Sequence, residues 1–124
     1  MSEATTRPEP RLHVICLCAQ WCGTCRDYSS RFEQIERSFP QVRFFWIDIE
    51  DEADLVDPIE IETFPTLLIA RNEVPIFFGP LLPHMETLER LVRNSLKDDA
   101  AHKLKDPALM GLMARLKKSG RITF

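Results

Sequence analysis

A chain of 124 residues with 44% hydrophobic and 28% charged side chains is long enough for one core and too short for two. Its net charge of −3 and pI near 5.6 exclude the broadly basic surface that nucleic-acid or membrane-surface binding would need. The acidic start MSEATTRPEP lacks the basic flank of a signal peptide, and the apolar run over residues 12–19 falls short of the roughly 20 residues that cross a bilayer. A cytoplasmic protein is therefore expected, in a compartment that favours catalytic or metal-bound cysteines over a structural disulfide framework.

In chain order, residues 1–10 read as a flexible N-terminus. Residues 12–19, LHVICLCA, form an apolar stretch of strand formers without Pro or Gly, the pattern of a strand buried on both faces. Cys25, Tyr28, Phe32, Ile35 and Phe39 then recur at helical spacing, which predicts a helix over 23–38 ended by Pro40. Residues 42–49, VRFFWIDI, predict a second buried strand, so the first three elements make a βαβ unit with parallel strands. A short acidic helix over 52–56, a third strand over 67–70, a tight turn at Asn72-Glu73 and a fourth strand over 74–78 follow, the last two strands forming an antiparallel hairpin. A helix over 84–96 presents Met85, Leu88, Leu91, Val92 and Leu96 on one face.

All four cysteines, Cys16, Cys18, Cys22 and Cys25, lie within ten residues. The pattern leaves three roles open for Cys22 and Cys25: a redox pair, metal ligands or core residues. At the strand-to-helix junction, Cys22 meets the unpaired N–H groups and positive dipole end of the helix, which favour its thiolate. Cys25 is one turn on, aligned with the inward stripe. An exposed thiolate backed by a sheltered second thiol suits disulfide exchange.

With Trp21-Cys22-Gly23-Thr24-Cys25 ahead of a long helix and Thr63-Phe64-Pro65-Thr66 leading into Leu67-Leu68-Ile69, the sequence resembles the thioredoxin family over about residues 11–96. The resemblance implies the minimal thioredoxin fold, an α/β arrangement β-α-β-α-β-β-α with a mixed four-stranded sheet flanked by helices. It assigns residues 11–97 to that domain and 98–124 to an additional helical extension. It implies a protein-disulfide oxidoreductase with Cys22 as nucleophile and Cys25 as resolving thiol. Trp21, Gly23, Thr24, Phe64 and Pro65 would form the substrate surface, with Pro65 at the position of the family's cis-proline. Protein disulfides are the expected substrates and a thioredoxin reductase the expected electron donor, with no cofactor, metal, nucleic acid or membrane partner, in a monomer or weak dimer. A second class of function is a non-enzymatic or redox-sensing module that recruits a partner through its C-terminal tail.

The chain departs from the family in three places. Gly-Thr replaces the Gly-Pro of the most reducing members, so a less reducing protein is expected. Cys16 stands where the family's buried aspartate assists proton transfer, and Trp46 where a lysine often accompanies it. Cys16 and Cys18 share a strand face. They are expected to be small buried hydrophobes without chemistry, the sharper alternative being Cys16 as a third exchanging thiol. A zinc site is disfavoured, because C-x-C-x3-C-x2-C places two ligands on a straight strand. His13, His84 and His102 are expected to be surface or edge residues.

Charge divides the chain: residues 1–96 hold 9 basic and 16 acidic side chains, residues 97–124 hold 7 and 3. In the basic tail, Asp106 predicts an N-cap and Pro107 the first helical position. Leu109, Leu112, Met113 and Leu116 make the apolar stripe, Lys117 and Lys118 complement the C-terminus, and Gly120 ends the helix. Residues 121–124 alternate like a short strand. The helix is expected to dock in cis, on apolar surface left open by the absence of an N-terminal strand and helix, assisted by the eight carboxylates of residues 48–62.

Overall fold

The computed structural model describes residues 12–19, 23–51, 54, 65–80, 85–97, 104–120 and 122, apart from the side chains of residues 24, 25, 85 and 97. Among the described residues, four strands and three helices follow one another: β1 (Leu12–Cys18), α1 (Gly23–Ser38), β2 (Arg43–Asp48), β3 (Thr66–Arg71), β4 (Val74–Pro80), α2 (Met85–Lys97) and α3 (Pro107–Ser119). The sheet order is β2-β1-β3-β4, with β1 and β2 parallel and the remaining neighbours antiparallel. The acidic helix expected over 52–56 lies outside the described residues apart from Asp54, which is helical.

β1 is central, and helices cover it on both sides. Leu12, Val14, Cys16 and Cys18 point to one face, against Tyr28, Phe32 and Ile35 of α1 and Leu88 and Val92 of α2. Ile15 and Leu17 point to the other, against Leu112, Met113 and Leu116 of α3 and Ile122 beyond it. Two covered faces account for an unbroken apolar run in which all seven residues are buried.

Two expectations are corrected here. Residues 42–49 were expected to form a fully buried strand, but β2 is the sheet edge and only half covered, with Trp46 37% exposed. Its indole packs edge-on to Phe32 at 5.5 Å, an apolar contact. His13 was expected at the surface, yet it is fully buried, its ring stacked on Phe45 at 6.0 Å. A strand covered on both faces leaves its polar residues no route to solvent.

β3 and β4 are joined by the tight turn at Asn72-Glu73, whose φ angles of 51° and 70° match the twist of the flanking strands. Along β4 the register slips between Ile69 and Ala70, so that Ala70 faces Pro75 and Ile69 faces Phe77. Pro75 sits at this irregularity on an edge strand, where a missing N–H is tolerated. Its carbonyl accepts from Leu104 N–H at 2.8 Å, pinning the approach to α3 against the sheet edge.

α3 begins and ends as its sequence dictates. The Asp106 carboxylate accepts from Ala108 N–H at 2.8 Å, Pro107 opens the first turn, and Gly120 closes the last with φ 77°. Lys117 donates to Glu73 at 2.7 Å, an ion pair with a residue outside the acidic run of 48–62. Of residues 121–124 only Ile122 is described; it is buried against the α3 face of the sheet. Among the described residues, no helix is long and apolar enough to cross a membrane.

Candidate active site

The candidate site lies at the C-terminal end of β1, where the strand gives way to α1. Ile49 N–H donates to the Cys18 carbonyl at 2.8 Å, tying the end of β1 to the residue after β2. α1 starts at Gly23, which is exposed, and continues for 16 residues. Cys22 immediately precedes this start in the chain. Thr24 and Cys25 lie on the first turn of α1, while Trp21, Cys22 and Phe64 lie outside the described residues. Pro65 is buried directly before β3, the strand next to β1. The backbone therefore brings the start of α1 and the entry to β3 to the same end of the sheet.

Beneath this end, on the α1 face, lies a sulfur-rich patch of core. Cys16 is a free thiol and fully buried, and burial pushes its thiol from 9.0 up to about 12. Its Sγ lies 3.7 Å from that of Cys18. Cys18 is disulfide-bonded. The expectation that Cys18 is a reduced, chemically silent core residue is thereby corrected. It also fixes the donor between the two sulfurs: Cys18 has no S–H, so the Cys16 thiol donates. Sequence spacing signals that four cysteines are close, but not which of them bond.

Tyr28, which sequence reasoning treated as a stripe residue alone, completes the patch. Its ring is buried, and its hydroxyl has no hydrogen-bond partner among the described residues. Burial, with a smaller contribution from Cys16, raises its hydroxyl above the usual phenol range against the opposing pull of Arg31. Neither Cys16 nor Tyr28 therefore releases a proton near neutral pH. Among the described residues, no three His, Cys, Asp or Glu side chains come together as a metal site.

The family model described as Thioredoxin matches residues 3–78 of the chain. The thioredoxin H-type of Fagopyrum esculentum is 30% identical over 94 residues, covering 76% of this chain and 70% of that protein. Thioredoxin-1 of Saccharomyces cerevisiae is 30% identical over 64 residues, covering 52% of this chain and 62% of the yeast protein. Among solved structures, thioredoxin from Trypanosoma brucei brucei superposes with a TM-score of 0.64 at 26% identity, over 76% of this chain and 82% of that one. With its sheet order, the helix starting behind the cysteine motif and these matches, the chain belongs to the thioredoxin family of protein-disulfide oxidoreductases.

Proposed function

We propose that the chain exchanges electrons with protein disulfides through a Cys22/Cys25 dithiol. The observation that carries this reading is the start of α1 at Gly23. The residue before a 16-residue helix meets unpaired N–H groups and the positive end of the dipole, so Cys22 ionises readily and attacks. In the forward step the Cys22 thiolate bonds to one sulfur of the substrate disulfide and displaces the other as a thiolate. Cys25 then attacks the Cys22 sulfur, closing Cys22–Cys25 and releasing the second substrate thiol. The substrate gains two electrons and the dithiol loses them. Trp21, Gly23, Thr24, Phe64 and Pro65 form the substrate surface in this reading. An electron donor such as a thioredoxin reductase restores the dithiol in the cytoplasm.

The alternative, a module that recruits partners through its tail, is not favoured, because the apolar stripe of α3 already lies against the sheet. The test is reduction of insulin disulfides by the full chain and by Cys22→Ser, with dithiothreitol as electron source. Wild type is expected to accelerate the reaction and Cys22→Ser to match the uncatalysed rate. Equal rates for the two proteins would reject the enzyme reading. Cys25→Ser is expected to retain substrates as stable mixed disulfides.

A further inference from the structure

Cys18 is disulfide-bonded, Cys16 is a free thiol, and the chain has four cysteines in all. By elimination, the sulfur bonded to Cys18 comes from Cys22 or Cys25. Position distinguishes them. Cys18 belongs to the sheet face that packs on α1, in one cluster with Cys16, Tyr28 and Phe32. Cys25 precedes Tyr28 by three residues on α1, the spacing of one helical face, whereas Cys22 stands ahead of the helix. We infer that Cys18 is a third redox sulfur of this site: it closes a disulfide with Cys25, withdrawing the resolving thiol and leaving Cys22 as the reactive thiol of an alternative oxidised form. This rests on the proposed Cys22/Cys25 chemistry and adds a second disulfide isomer to it.

The two isomers interconvert without net oxidation. Once a substrate has been reduced, the site holds Cys22–Cys25. The Cys18 thiolate attacks the Cys25 sulfur, the Cys18–Cys25 bond forms as Cys22–Cys25 breaks, and Cys22 departs as a thiolate. The proton given up by Cys18 goes to solvent. A thiol of low pKa leaves faster, and a helix N-terminus makes Cys22 that kind of leaving group. In the reverse step Cys18 leaves, and the Cys16 S–H at 3.7 Å is placed to stabilise its departing charge. Of the two strand sulfurs it is Cys18 that is bonded, while Cys16 stays a free thiol. While Cys18–Cys25 is closed, Cys22 can still enter a mixed disulfide, but only a thiol of the substrate can release it. That form favours rearrangement of substrate disulfides over their net reduction.

The linkage can be read on the full-length protein. After oxidation with diamide, free thiols are capped with N-ethylmaleimide in acidic denaturant; the disulfides are then reduced and capped with iodoacetamide. Trypsin, cutting after Arg11 and Arg26, places all four cysteines on the one peptide spanning 12–26. The expected result is a population with maleimide on Cys16 and Cys22 and acetamide on Cys18 and Cys25. Maleimide on Cys18 in every oxidised molecule would overturn the inference, as would acetamide on Cys18 together with Cys22. In a second measurement, oxidised wild type is expected to keep a Cys22 thiol that iodoacetamide alkylates at neutral pH, and oxidised Cys18→Ser to lose it. Equal protection of Cys22 in both would also reject the inference. An active enzyme lacking the Cys18–Cys25 linkage rejects this inference alone; an inactive protein that contains it rejects only the enzyme reading.

Discussion

Cys16 and Tyr28 are the two buried acids beneath the site, and both act on stability through pH. The Cys16 thiol is raised from 9.0 to about 12 in the folded protein, so the unfolded chain releases this proton first as pH rises. Its stabilising contribution is complete below pH 9 and is lost as pH climbs from there toward about 12. One proton corresponds to a slope of about 1.4 kcal/mol per pH unit. Tyr28, also raised, adds a loss of the same sign above 10.0. Urea melts of the reduced protein between about pH 8 and 11 should show stability falling with pH, less steeply in Cys16→Ala. Parallel slopes for the two proteins would remove Cys16 as the cause. Tyr28 offers a second test at this scale. A buried hydroxyl without a partner costs about 1–3 kcal/mol of desolvation. Tyr28→Phe keeps the ring contact with Phe32 and removes that cost, so its urea midpoint should equal or exceed wild type; a clear drop would reveal a partner for the hydroxyl. The stripe position of Tyr28 is legible in the sequence from its spacing to Phe32 and Ile35. That its hydroxyl meets no partner among the described residues is not, because that depends on which strand lies opposite.

At the scale of elements, α3 shows how much a helix announces itself. Its cap at Asp106, its first proline, its stripe and its terminal glycine are all local signals, and each is found where the sequence places it. What no local signal supplies is the face of the sheet it covers, since that follows from the path of the chain after α2. Two forces hold α3, and their sizes differ. The Lys117–Glu73 pair is exposed on both sides, worth well under 1 kcal/mol. Leu116, fully buried against Ile15, Leu17 and Leu68, is worth far more: Leu116→Ala should cost about 2–5 kcal/mol in a urea melt. The β3–β4 turn brings the same comparison into conflict. Glu73 adopts φ 70°, where an L side chain incurs about 1–2 kcal/mol of strain, while glycine does not. Glu73→Gly removes that strain and loses the exposed pair with Lys117. Even after glycine's entropy cost of about 0.5–1 kcal/mol, the variant should be as stable as wild type or slightly more so. A loss above about 1 kcal/mol would show that the ion pair dominates.

For the whole molecule, the decisive feature is a four-stranded sheet covered on both faces by only three described helices. The sequence reveals the α1 and α2 side through helical stripes, and the buried centre through the unbroken run of β1. It does not reveal that β2 is an edge. VRFFWIDI reads as a buried strand because aromatic residues supply its apolar character, yet Trp46 serves as a half-exposed rim to Phe32 rather than as core. Nor does it reveal the fate of His13, which is decided by α3 arriving some 90 residues later and closing over that face. Coverage from the far end of the chain has a thermodynamic consequence. Leu109, Leu112, Met113, Leu116 and Ile122 are all 6% exposed or less, and burying each such side chain contributes about 1.5–3 kcal/mol. Together they approach about 10 kcal/mol, which lies within the total stability of about 5–15 kcal/mol for a domain. A chain ending after residue 103 should therefore lose most of its stability rather than a fraction. It should melt well below the full-length protein by circular dichroism and bind a hydrophobic dye through the uncovered Ile15, Leu17 and Leu68. An unchanged melting temperature with no dye binding would mean that α1, α2 and the sheet form a self-sufficient core, and that α3 merely rests on it.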